Sequence, residues 1–151
     1  MDTPERSTAG VYQGASGRTY HDFEVGSTIR HHVDSGFKSV VVFGVNDIAL
    51  PDELPPNVIH VAFDATTRDA AMKVVNAVIP KAAGQWLYYC YNAEYIFYPF
   101  CEHRSVGEML AYHTEERRDA MLSYVVDLYA GDLDSYPNAV SLDSAFIDRT
   151  G

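Results

Sequence analysis

The stretch Lys38-Ser39-Val40-Val41-Val42-Phe43-Gly44-Val45 constrains the fold most strongly. Its apolar residues are continuous and largely β-branched, without the alternation expected of a strand with one wet face. It predicts a strand over Ser39–Phe43 that is buried on both faces, and such strands belong to parallel sheets covered by helices. Two further runs repeat the signal, Val58–Phe63 and Trp86–Tyr91. Between them, Ala71, Val74, Val75 and Val78 share one helical face; they predict a helix over Arg68–Ile79, capped by Thr66 or Thr67 and closed near Pro80. Upstream, Val25, Ile29 and Val33 recur every four residues and predict a helix over Glu24–Ser35, with Gly36 as its C-terminal stop. Downstream, Ser105 and Glu108 form a capping box for a helix over about Ser105–Glu116. Met121–Leu128 reads as a fourth strand. Strand, helix and strand in alternation imply an α/β domain with an open, mostly parallel sheet flanked by helices. Trp86–Tyr91 is apolar enough to be expected at the centre of that sheet. Residues Met1–Arg18 lack periodicity and read as a flexible lead-in, leaving 19–151 as a single domain.

The totals exclude some functions. A chain of 151 residues, 47% of them hydrophobic, can bury a core, so disorder throughout is excluded. The formal net charge of −10 repels phosphate backbones and argues against nucleic acid as a partner. No run approaches the roughly 18 apolar residues of a membrane span. Cys90 and Cys101 are the two cysteines, and without a secretory signal they read as reduced thiols of a cytoplasmic protein.

The candidate site begins with Tyr88–Glu102, YYCYNAEYIFYPFCE. One short polar break, Asn92-Ala93-Glu94, interrupts the aromatics just past the end of the predicted strand Trp86–Tyr91. Ligands of open α/β sheets collect beyond the carboxyl ends of the strands. Glu94 is therefore expected at a cleft mouth, with Asn92 beside it and Asn46 or Asp47 on the opposite rim; the competing reading is a solvated loop acid. Asp127 is a weaker candidate, at the end of the predicted strand Met121–Leu128, where a turn role competes. His31 and His32 are adjacent on a helix and point roughly 100° apart, which disfavours joint chelation. Cys90 reads as a buried thiol. Glu115–Asp119 reads as a solvated helix end.

Three segments, in order and spacing, resemble the nucleotide-sugar half of a family 2-type glycosyltransferase. They are IRHHVDSGFKSVVVF, QWLYYCYNAEYIFYPFCE and ERRDAMLSYVVDLYAGDL, within a span from Arg30 to Gly151. The resemblance implies a Rossmann-like, GT-A-type fold, a nucleotide-sugar donor and a Mn²⁺ or Mg²⁺ ion on the donor phosphates. It implies Glu94 as the acid nearest the metal, Asn46, Asp47 and Asn92 near the donor, and Asp127 on the sugar side. The family's acidic motif is Asp-x-Asp-Glu, whereas this chain reads Tyr91-Asn92-Ala93-Glu94. The family's opening strand also lacks a close equivalent, with Gly17–Glu24 in its place. The family's acceptor-binding part has no counterpart before Gly151, so the expectation is a fragment or a reduced homologue. The alternative is a non-catalytic, glycosyltransferase-like binding or protein-interaction module.

Overall fold

The structure is a computed structural model that describes residues 8–13, as backbone alone, together with 24–136 and 141–147. The chain divides into two compact units, Met1–Arg117 and Arg118–Gly151.

The first unit is a mixed α/β arrangement. Among the described residues its sheet has four strands in the order β3-β2-β1-β4, namely β1 Thr8–Gln13, β2 Ser39–Gly44, β3 Val58–Ala62 and β4 Trp86–Tyr91. Every pairing is parallel, with Val11 opposite Val41 and Tyr89, and Val41 opposite Ile59. No closed barrel forms among the described residues. The helices are α1 Val25–Asp34, α2 Ala70–Val78 and α3 Val106–Glu115, each within two residues of its predicted bounds.

The topology explains which face each helix covers. The chain steps from β1 through α1 to β2 in one direction, then from β3 through α2 back across to β4. Right-handed crossovers in opposite directions require helices on opposite faces. The packing follows that rule. Val25 and Ile29 of α1, with Val106 and Leu110 of α3, share a core with Val40, Val42, Val58 and Cys90. Val74 and Val78 of α2 pack on the other face with Val41, Phe43, Leu87 and Tyr89. β2 is thus covered on both sides, as its unbroken β-branched run requires.

Several elements differ from the sequence expectation. Thr8–Gln13, within the expected lead-in, is the strand between β2 and β4. Among the described residues β4, expected at the centre, pairs with β1 alone and stands at the sheet edge. Its rings explain why this is tolerated. Tyr88 and Tyr89 are half-buried, and Trp86 donates from Nε1 to Thr114 Oγ1 of α3 at 3.0 Å, so the polar tips stay wet or bonded while the ring bodies pack. β3 is the other edge. Only Val58 is buried there, while Ile59 and Val61 are exposed. Thr66 does not cap α2. Its amide and hydroxyl both bond to Asp64 Oδ1 in the preceding turn, and the N-cap position falls to Asp69 without a side-chain cap.

The expected strand Met121–Leu128 is likewise absent. In the second unit, residues 119–127 have no regular structure, and β5 Leu128–Ala130 pairs antiparallel with β6 Ala145–Ile147. Tyr129 stacks on Phe146 there. A Cβ at Gly131 would come within 2.3 Å of the Phe146 ring, so the close approach of that ring requires glycine.

Candidate functional site

The strand order reverses between β1 and β4, because β2 and β3 lie on one side of β1 and β4 on the other. Gln13 and Tyr91, the last residues of the two strands, face each other in register. The crevice at such a switch point is where open α/β sheets take ligands. Asn92-Ala93-Glu94 leaves β4 at that point. The helix that follows β1 also begins at this end. The link between them, 14–23, includes most of the segment Gly17–Glu24 and lies outside the described residues.

Tyr91 to Glu94 is a tight turn. The Glu94 amide donates to the Tyr91 carbonyl at 3.3 Å, and the Tyr91 amide donates to Glu94 Oε2 at 2.9 Å. Ala93 sits in the left-handed region, with φ 63°. Its amide donates to Thr28 Oγ1 at 3.1 Å, so the buried first turn of α1 holds the tip of the turn. The Glu94 carboxylate therefore has a local structural role, accepting the amide at the strand end and redirecting the chain. Its charge also reaches Cys90, Tyr88 and Tyr89, adding to the burial that pushes all three above their ordinary values.

Beyond Glu94 the aromatic run becomes a strap laid along α1. The Tyr95 hydroxyl is 2.9 Å from Ser27 Oγ, and Ser27 in turn donates to the Glu24 carboxylate. His31 Nε2 lies 2.9 Å from the Ile96 carbonyl, and its ring meets Tyr95 edge-on. Ile96 and Tyr98 pack against the core. The strap ends where the Val106 amide donates to the Ser35 carbonyl at 2.8 Å. Phe97 and Phe100 remain largely exposed, at 74% and 70%.

His31 and His32 diverge as expected. His31 faces the strap, whereas His32 is fully buried with Nδ1 2.8 Å from the Thr28 carbonyl. Cys90 is the buried thiol that its sequence context suggested. Glu24, Ser27, Thr28 and Tyr95 join the site although the sequence pattern does not single them out as site residues. The signal available is modest: two hydroxyl residues and an acid at a helix start.

The other candidates fall differently. Asn46 and Asp47 are exposed in the turn after β2. That loop closes over the start of α1, since Pro51 lies 3.4 Å from where a Cβ on Gly26 would stand. The strand β1 separates β2 from β4, so the two rims belong to non-adjacent strands. Asp127 lies in the other unit, exposed, immediately before β5 rather than at the carboxyl end of a strand. Among the described residues, no group of three or more His, Cys, Asp and Glu is placed to hold a metal ion, and no helix is long and apolar enough to cross a membrane. Compared with protein-family models, with curated proteins and with solved structures, the chain matches none.

Proposed function

We propose that the first unit is a Rossmann-like, glycosyltransferase-like domain that binds a nucleotide-sugar donor at the carboxyl end of β1 and β4. The observation that carries this reading is the reversal of strand order at that point, with Asn92–Glu94 and the start of α1 converging on it. Asn92 and Glu94 border the donor, and Asn46 and Asp47 form the far rim. A Mn²⁺ or Mg²⁺ ion on the donor phosphates would take oxygen ligands. Glu94 Oε1 is its candidate ligand here, since Oε2 accepts from the Tyr91 amide. Asp127, on the sugar side of the family resemblance, is the proposed catalytic residue of a complete enzyme. In such an enzyme an acceptor hydroxyl attacks the anomeric carbon as the nucleoside diphosphate departs.

One observation favours a second reading, a non-catalytic binding module. Glu94 is already committed to its own turn. With no aspartate at 91 or 93, stabilisation of the departing phosphate is reduced. The purified chain is expected to bind donor without efficient transfer.

Calorimetric titration of a uridine or guanosine diphosphate sugar, with and without Mn²⁺, tests the proposal. Glu94→Gln keeps an oxygen for the Tyr91 amide and removes the charge, whereas Glu94→Ala removes both. Weaker binding in both variants supports a ligand role. Weakening only in Glu94→Ala assigns the acid to the turn. Absence of binding by the wild type would sink the donor-site reading, and robust sugar transfer would sink the non-catalytic one.

A further inference from the structure

Residues 115–129 are all exposed, the longest such run among the described residues. Within it, 119–127 form no helix, strand or turn. This stretch reads Asp-Ala-Met-Leu-Ser-Tyr-Val-Val-Asp, and its apolar side chains stand in solvent: Leu122 at 79%, Tyr124 at 82% and Val125 at 73%. It begins just past the boundary between the two compact units, which falls after Arg117.

A protease takes its substrate as extended backbone, so exposed chain outside helices and strands is cut first. Bonds inside ordered structure are cut only when that structure opens. Three residues on either side of the bond after Leu122 span 120–125, and those around the bond after Tyr124 span 122–127, all within the irregular stretch. Other bonds with similar side chains are closed by their backbone. Phe97 and Phe100 are almost as exposed as Leu122. Phe100, however, has φ 67°, and its carbonyl accepts from the amides of His103 and Arg104 at 3.0 and 2.9 Å. Phe97 follows the Ile96 carbonyl that His31 holds, and its ring lies 5.7 Å from the His31 ring. Tyr112 is helical, in α3, and Tyr91 belongs to the turn that ends β4. The pair Arg117-Arg118 offers a basic cleavage point, but α3 runs up to it, and the Arg117 amide donates to the Thr114 carbonyl at 3.0 Å.

We propose that 119–127 is a processing site for an endopeptidase with an apolar specificity pocket. The pocket takes Leu122 or Tyr124, and the cut separates most of the second unit from an intact first unit. The step is hydrolysis. The carbonyl carbon of Leu122 or Tyr124 gains the oxygen of water, its bond to the nitrogen of Ser123 or Val125 breaks, and that nitrogen takes up a proton from the water. Both core clusters and all four strands of the parallel sheet lie before the cut, so the first unit keeps what holds it together. This proposal is independent of what the crevice at β1 and β4 binds.

Chymotrypsin, whose specificity pocket is a hydrophobic slot, is the probe. A small amount added to the full native chain, with mass spectrometry of timed samples, reads the order of cuts. The first cut should follow Leu122 or Tyr124, and the fragment 1–122 or 1–124 should outlast the full chain under the same protease. Leu122→Ser with Tyr124→Ser removes both side chains that the pocket takes, so loss of the full chain should slow by at least about tenfold. A first cut at any other bond, those after Phe97 and Phe100 included, overturns the proposal. So does degradation of the first unit in step with the first cut, or an unchanged rate of loss in the double variant. Should the double variant not fold, the order of cuts in the wild type decides.

Discussion

Ala93 shows how much a single backbone conformation can matter. Its φ of 63° lets the chain turn within three residues of β4 and aims its amide at Thr28 Oγ1. A left-handed conformation costs an L-residue roughly 1–2 kcal/mol, a penalty glycine escapes. Glycine also loses more freedom on folding, an offset of roughly 0.5–1 kcal/mol. Ala93→Gly is therefore expected to stabilise the first unit by up to about 1 kcal/mol, read as a rise of a few degrees in thermal midpoint. Loss of stability would mean that the alanine methyl contributes packing that its exposed position does not suggest. The polar break containing Glu94 is legible in the sequence. The left-handed conformation of Ala93 is not, because a turn of this kind normally advertises itself with glycine or asparagine.

At the scale of elements, α3 is the clearest case of local chemistry setting a boundary. Ser105 Oγ accepts from the Glu108 amide, and Glu108 Oε2 accepts from the Ser105 amide at 2.8 Å. The Ser105 amide, together with the Ser105 hydroxyl that also donates to Oε2, holds the Glu108 carboxyl below its usual value. Its contribution is present above the ordinary carboxylate pKa and is lost as pH falls through the depressed one. Ser105→Ala should destabilise the unit by about 1 kcal/mol, measured by urea unfolding with an unchanged m-value. A variant as stable as the wild type would show that the Val106–Ser35 bond and the burial of Val106 and Leu110 hold the helix start without the box. This boundary is readable because Ser-x-x-Glu precedes apolar residues at helical spacing. The start of α2 is not, since Asp64 draws Thr66 into a turn of its own before the helix begins. The edge positions of β3 and β4 are also hidden. An apolar run reports burial of its side chains, whereas neighbour number depends on which distant segments pair with it.

For the whole molecule, the decisive element is the one with the weakest sequence signal. Thr8–Gln13 has no apolar run, yet it pairs with β2 on one side and β4 on the other. Its place cannot be read locally, because parallel strands are joined by contacts between residues far apart in sequence. Met121–Leu128 is the opposite case. There β propensity is strong, but only Leu128 belongs to a paired strand, and propensity without a partner does not make a strand. These two facts yield one prediction about how the chain is assembled. The core residues from Val25 to Leu110 all belong to the first unit, as do the four strands of the parallel sheet. A chain ending at Arg117 should therefore fold by itself, with mixed α/β circular dichroism and one cooperative thermal transition. Deleting residues 1–13 removes the strand between β2 and β4. Because both neighbours then lose their ladder with it, no cooperative transition should remain. The paired deletions separate the outcomes: an unfolded 1–117 would show that the second unit completes the first, and a cooperatively folded 14–151 would show that β2 and β4 do not depend on β1.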